Sequence, residues 1–285
     1  MLEKKGPLRT LAYGWRVARS PQYLGLFVFA VAPMIMESLR VDVIAGMMVY
    51  FSLFWLVIFR RISGDELRTP SRTLDAAAYL FTAVFGVLFA AGLESTAMAW
   101  GARRLIAGPL DTASWLTYVV AVGMVEETAK QLVVGGFALY QRWRGRVWNP
   151  WAFMALGIVS GLGFSAVENI DYVNRGVFMD MSHLAVGLGT VTALTRALYT
   201  PFLHAIWAGV AAYALGVAAQ GPRWRWGPAG WGWLTVAVLH GTYDATVGVN
   251  TVWALADVAV SYFLFLYLAL QRRPGLLQSG RRTSG

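Results

Sequence analysis

Glutamates, histidines and one lysine recur inside stretches that are otherwise apolar, and these are residue types that can hydrolyse bonds. The first set is Glu126-Glu127-Thr128-Ala129-Lys130. On a helix Glu126 and Lys130 share a face and can pair, and Glu127 points about a quarter-turn away. Adjacent carboxylates beside one lysine can hold different protonation states, which suits general acid–base work. The second set is Phe164, Glu168 and Asn169, with Phe164 one turn before Glu168 on the same face. The third is His204, followed by Gly209, and the fourth is His240 with Asp244 one turn on. An aspartate so placed can fix a histidine's tautomer and raise its basicity. Each set alone would also serve as a structural ion pair or interhelical hydrogen bond.

These side chains need elements that can hold charge away from water. The chain has 285 residues, 57% hydrophobic and 14% charged, against about a quarter charged in soluble domains. Its apolar residues come in blocks near the ~20 residues that cross a bilayer as a helix. The expected fold is therefore all-α, a polytopic transmembrane bundle of about eight spans at 22–37, 43–59, 76–99, 115–139, 151–173, 201–219, 230–248 and 251–270. Residues 1–20 and 271–285 read as basic cytoplasmic tails around a single transmembrane domain, 21–270. No small-residue cleavage site follows the first apolar run, so it reads as an uncleaved first span. With zero cysteines, disulfides and thiol chemistry are excluded.

The net charge of +9 belongs to membrane topology, not to nucleic-acid binding. With eight spans, eighteen Lys and Arg fall on the side of the two termini and five on the other: Arg40, Arg103, Arg104, Arg175 and Arg196. That bias favours cytoplasmic termini in a multi-pass cell-membrane protein. Counting 184–199 as a further span would reverse it, so 174–200 reads as an external loop with a re-entrant or interfacial helix. Glu37, Asp42, Glu94 and Asp257 then lie near outer helix ends, within reach of headgroups, and His183 lies in the loop.

Depth brings the four sets together. At ~1.5 Å per residue from the outer helix ends, His204 lies ~6 Å down, Glu168 ~8 Å, His240 ~12 Å and Glu126 ~16 Å. Four helices can thus present these groups around one cavity open to the outside.

Taken in order, the motifs resemble the PrsW family of membrane proteases, itself similar to the wider group of CAAX prenyl proteases and their bacterial Abi relatives. The paired glutamates with Lys130, the Phe-xxx-Glu-Asn of Phe164, Glu168 and Asn169, the His204–Gly209 pair and the His240–Asp244 pair all match, within a motif-bearing core of 115–270. The resemblance implies an endopeptidase acting on membrane-anchored protein substrates, such as an anti-sigma factor, on the outer side. Glu168 stands where the CAAX branch usually has histidine, which argues against prenyl-protein specificity.

Glu126, Glu127, Glu168, His204 and His240 are the candidate catalytic residues, and Lys130, Phe164, Asn169 and Asp244 support them. Two mechanisms stay open. In one, Glu126 activates water without a cofactor, the histidines stabilise the oxyanion, and Glu127 or His240 donates the proton. In the other, Glu168, His204 and His240 bind one Zn²⁺ with an open position and Glu126 is the base. Analogy with the CAAX branch favours the first. An ion- or proton-coupled transporter would also carry such residues, but no inverted repeat is visible. A non-catalytic binding protein of the same fold is the remaining alternative.

Overall fold

In the computed structural model the described residues are 31, 42–63, 69, 71–106, 109–146, 148–182, 187–220 and 224–271. Contacts divide the chain into two units, residues 1–47 and residues 48–285. In the first, Asp42 Oδ1 accepts from the backbone N–H of Ile44 at 2.9 Å and of Ala45 at 3.1 Å, capping the first turn of a helix.

The elements among the described residues are helices. We label α1 Val43–Ser63, α2 residues 72–106, α3 residues 112–143, α4 Pro150–Met181, α5 Leu188–Leu198, α6 Thr200–Ala218, α7 Trp226–Thr246 and α8 Thr251–Leu270. Their starts follow local chemistry. Ser71 caps α2 by accepting from Thr73 N–H, Asn149 caps α4 ahead of Pro150, and Asn250 caps α8 by accepting from Trp253 N–H. Asp111 and Ser114 form a reciprocal capping box at the head of α3. The bonds from Ser114 hold the exposed Asp111 carboxyl below its usual range. Gly101, at φ 114°, takes a backbone conformation that other residues resist and kinks the end of α2.

Five stretches are long and apolar enough to cross a membrane: Val43–Arg61, Arg72–Ala102, Pro150–Met181, Leu188–Ala218 and Thr251–Leu270. The chain is an all-helical membrane protein. Length and apolarity do not reach the expected eight. Span 22–37 lies outside the described residues. Helices α3 and α7 have membrane length, but charged, amide and glycine residues keep them below the same apolarity.

The expected loop at 174–200 is corrected in part. Helix α4 does not end at 173 but runs 32 residues to Met181, about 48 Å against a hydrocarbon core of ~30 Å. The helix expected over 184–199 is present as α5, and it leads through Tyr199 directly into α6, so that Leu188–Ala218 forms one apolar stretch of membrane length.

Helices α4 and α6 form the centre, with α5 and α7 against them. The close approach of α4 to α6 depends on Gly161, where a Cβ would lie 2.2 Å from the backbone oxygen of His204. Gly123 does the same for α3 and α7, its Cβ position lying 2.2 Å from Ala237 O. Aromatic rings fill the junction of α1, α6 and α8: Phe59 stacks on Phe202 at 5.9 Å and meets Phe265 edge-on at 5.8 Å. At the opposite end from the site, Arg60 and Thr69 hold the buried Asp75 carboxylate.

Candidate active site

Helices α3, α4, α6 and α7 carry the four motif sets to one level. Counted at ~1.5 Å per residue from the helix ends at the short 143–150 and 218–226 connections, Glu126, Glu168, His204 and His240 stand roughly 21–27 Å up. Buried hydrogen bonds hold this register. Ser160 Oγ donates to Lys130 O at 2.6 Å, Gln131 Nε2 to Ala208 O at 3.1 Å, and Trp115 Nε1 to Thr242 Oγ1 at 2.9 Å.

Lys130 is fully buried and donates to both glutamates, at 2.8 Å to Glu127 Oε1 and 3.2 Å to Glu126 Oε2. Its Nζ also lies 4.6 Å from the centre of the Phe164 ring. Spacing predicts the Glu126 pair, and the structure adds the closer one to Glu127.

The two imidazoles sit together, 5.2 Å apart and edge to face. Each has a carboxylate behind it. His240 Nδ1 lies 2.9 Å from Glu127 Oε1, and His204 Nε2 lies 3.1 Å from Glu168 Oε2. Their other nitrogens turn towards Glu126 Oε2, at 3.5 Å from His240 Nε2 and 4.0 Å from His204 Nδ1. His204 Nδ1 is buried and has no hydrogen-bond partner among the described residues. Glu126, His204 and His240 thereby form a group whose ligand atoms lie within 4.8 Å of one another.

That differs from the set read from the sequence. In the metal alternative Glu168 would share the ion with the two histidines, yet it faces the remote nitrogen of His204. Glu126, expected as the base, occupies the converging position. Glu127, and not Asp244, is the carboxylate at His240 Nδ1, at 2.9 Å, and Asp244 Oδ2 stands 3.4 Å from the other nitrogen, Nε2. Asp244 is the most exposed carboxylate here, at 21%, against 14% for Glu168 and 5% for Glu126.

Two expected supporting residues, Phe164 and Asn169, and the motif glycine Gly209 have visible neighbours. Phe164 stacks under His204 at 5.8 Å. Asn169 donates to Ser165 Oγ and to Arg196 O, both at 2.8 Å. A Cβ on Gly209 would lie 3.0 Å from Ile158 Cγ1 on α4.

Other residues at the site escaped the sequence reading. Trp207, one turn after His204, stacks on His240 at 4.5 Å and donates from Nε1 to Ser261 Oγ at 2.8 Å, bringing α8 to the site. Its i+3 spacing from His204 was a signal. Arg196 donates to Glu168 Oε1 at 3.1 Å; a cation inside an apolar segment was its signal. Glu94 and Asp257, expected at the headgroups, each bury a carboxylate oxygen that has no hydrogen-bond partner among the described residues. Glu94 is close enough to interact with Glu168, Asp244 and Lys130. His183 lies outside the described residues.

Residues 70–270 match the family model described as PrsW family intramembrane metalloprotease. The match takes in α2 as well as the motif-bearing helices. Comparison with curated proteins and with solved structures found no match.

Proposed function

As the chain belongs to the PrsW family of intramembrane metalloproteases, we propose that it hydrolyses a peptide bond of a membrane-anchored protein, with Glu126, His204 and His240 at the reaction centre. The supporting observation is the convergence of Glu126 Oε2, His240 Nε2 and the unpartnered His204 Nδ1. Donor atoms on one tetrahedral zinc ion lie roughly 3.3 Å apart, given bonds of ~2.0–2.1 Å. The 3.5 Å and 4.0 Å separations lie somewhat above that scale, with all three donor atoms within 4.8 Å of one another, close enough for a metal to draw them together.

Charge points the same way. Four carboxylates, Glu126, Glu127, Glu168 and Asp244, face two cations, Lys130 and Arg196. With neutral imidazoles the cluster is formally two positive charges short, and uncompensated charge in a buried site is costly. A divalent cation would remove that deficit, as would protons on two of the carboxylates, and the nearby Glu94 carboxylate adds to it when ionised.

Glu126, His204 and His240 would hold the metal, with Glu168 and Glu127 orienting the imidazoles from behind. When bound, such a metal polarises the scissile carbonyl and makes water acidic enough to attack near neutral pH. The chain's own groups do the rest. Glu127 keeps a proton on His240 Nδ1. Lys130 donates to both Glu126 and Glu127 and partly offsets their charge. Asp244, which makes no hydrogen bond among the described residues, receives the proton of the attacking water and passes it to the leaving amine. Phe164 and Trp207 wall the site and exclude bulk water.

The same proposal includes eight spans with cytoplasmic termini, supported by the eighteen-to-five basic bias. This topology sets the cluster in the outer half of the bilayer, where the juxtamembrane segment of a single-span protein such as an anti-sigma factor can reach it. Kinship with the CAAX proteases would extend to this layout and not to prenyl recognition.

The test is co-reconstitution of the purified protein with a single-span candidate substrate. Two fragments cut near the outer end of the span are expected, and none with Glu126→Gln. An uncut substrate together with proton- or ion-dependent flux would support the transporter reading instead.

A further inference from the structure

We infer that Arg196 is a positioning residue that fixes Glu168 against His204 and so sets the tautomer of that histidine. The inference deepens the reading above, because it concerns the second layer of the same cluster.

Arg196 comes from α5, a helix of 11 residues that packs along the last turns of α4. Small residues bring the two helices together. A Cβ on Gly176 would lie 3.1 Å from Thr192 Oγ1, and one on Gly189 would lie 3.1 Å from Val177 Cα. Asp180 Oδ2 accepts from Gly189 N–H at 2.8 Å and ties down the start of α5. At the other end the tie is Arg196 itself.

Its guanidinium is gripped from three directions. Nη1 donates to Glu168 Oε1 at 3.1 Å and to Asn169 Oδ1 at 3.3 Å. The Cζ atom lies 3.4 Å from the centre of the Tyr172 ring. Asn169 returns a bond from Nδ2 to Arg196 O at 2.8 Å. A planar guanidinium can stack and donate in one plane, whereas an ammonium cannot.

The consequence lies at Glu168. Its two oxygens are divided: Oε1 accepts from Arg196, and Oε2 is buried 3.1 Å from His204 Nε2 with no aligned hydrogen bond among the described residues. Holding Oε1 fixes the rotation of the carboxylate, and Oε2 then faces the imidazole. A carboxylate opposite Nε2 favours the proton on that nitrogen and leaves Nδ1 bare towards Glu126. A largely buried cation on an apolar helix is expensive unless a specific partner uses it. Mere adhesion of α5 to α4 would stabilise the fold but would leave the tautomer of His204 alone.

The experiment reads the imidazole directly by ¹⁵N NMR of histidine-labelled, metal-free protein in detergent, with His204 assigned by substitution. Wild type should show His204 as one tautomer, protonated at Nε2. Arg196→Gln should show averaged ring nitrogens, Arg196→Lys should fail to restore the wild-type pattern, and Glu168→Gln with or without Arg196→Gln should look alike. Asp180→Asn, which loosens α5 at its far end, should lower thermal stability and keep the wild-type ring signals. Cobalt(II) titration is the second readout, with affinity about 10–100-fold weaker in Arg196→Gln. Ring signals unchanged in Arg196→Gln would overturn the inference. So would an Arg196→Gln effect that persists in full on the Glu168→Gln background. Because the NMR needs neither metal nor substrate, it decides the role of Arg196 even if no cleavage is found; absence of cleavage counts only against the protease reading.

Discussion

Changing Lys130 to Met should cost the protein more stability than any other single change at the site. Lys130 is wholly buried, 2.8 Å from one carboxylate oxygen and 3.2 Å from another. At an effective dielectric of about 20, each pair is worth roughly 5–6 kcal/mol of gross Coulomb attraction. Most of that offsets the desolvation of the three groups. What matters is what remains after the change: methionine fills the volume, but Glu126 and Glu127 are left as adjacent buried anions. Removing one partner of a buried ion pair costs about 3–5 kcal/mol, a fall of roughly 6–20 °C in Tm by the scaling for large domains. The assay is thermal unfolding in detergent, followed by tryptophan fluorescence, with Glu127→Gln and the double variant alongside. Because the second substitution removes one stranded charge, the double variant should recover part of the loss. A Lys130→Met protein that unfolds at the wild-type temperature would refute the reasoning, since the lysine would then not be compensating the carboxylates.

Two further changes test how the helices set the site. Gly161→Ala forces a Cβ to within 2.2 Å of His204 O, so α4 and α6 must part; stability should fall by about 1–3 kcal/mol and kcat with it. Gly135→Ala, whose Cβ meets nothing within 4 Å, should leave both unchanged when measured by the same unfolding and cleavage assays. Trp207→Phe keeps the ring against His240 but leaves the buried Ser261 hydroxyl unpaired, which should cost about 1–3 kcal/mol; Trp207→Ala should in addition cut kcat, because the stack is gone.

The chemistry was legible because intramembrane charge is rare enough that residue type and helical spacing single it out. Glu126, Glu168, His204 and His240 do come together, as their shared depth implies. Which oxygen faces which nitrogen was not legible. Periodicity places a side chain on a face but says nothing of imidazole rotation, and so Glu168 and Glu126 exchanged places around His204. The role of Arg196 was hidden for another reason. Its segment is short and rich in glycine and threonine, and charge counting treats an arginine outside a span as a topology marker. Only the packing of α5 on α4 turns it inward. Asp257 and Glu94 were misjudged in the same way, since nearness to a helix end does not reveal whether a neighbouring helix covers it. The span count meets the candidate site: its polar residues are among those that keep α3 and α7 below the apolarity of the five stretches.

The central claim is that Glu126, His204 and His240 hold a metal that hydrolysis requires, with Asp244 handling the proton. It is tested most directly by one paired measurement on purified protein: metal content alongside the rate of cleavage of a reconstituted single-span substrate, for wild type, Glu126→Gln and Asp244→Asn. Wild type should carry about one zinc per chain, lose cleavage on chelation and regain it with added Zn²⁺. Glu126→Gln should lose both metal and cleavage. Asp244→Asn should keep the metal while its rate falls by about 10²–10⁴-fold, as expected for loss of general acid–base catalysis. Chelated, metal-free protein that still cleaves at the wild-type rate would contradict the account.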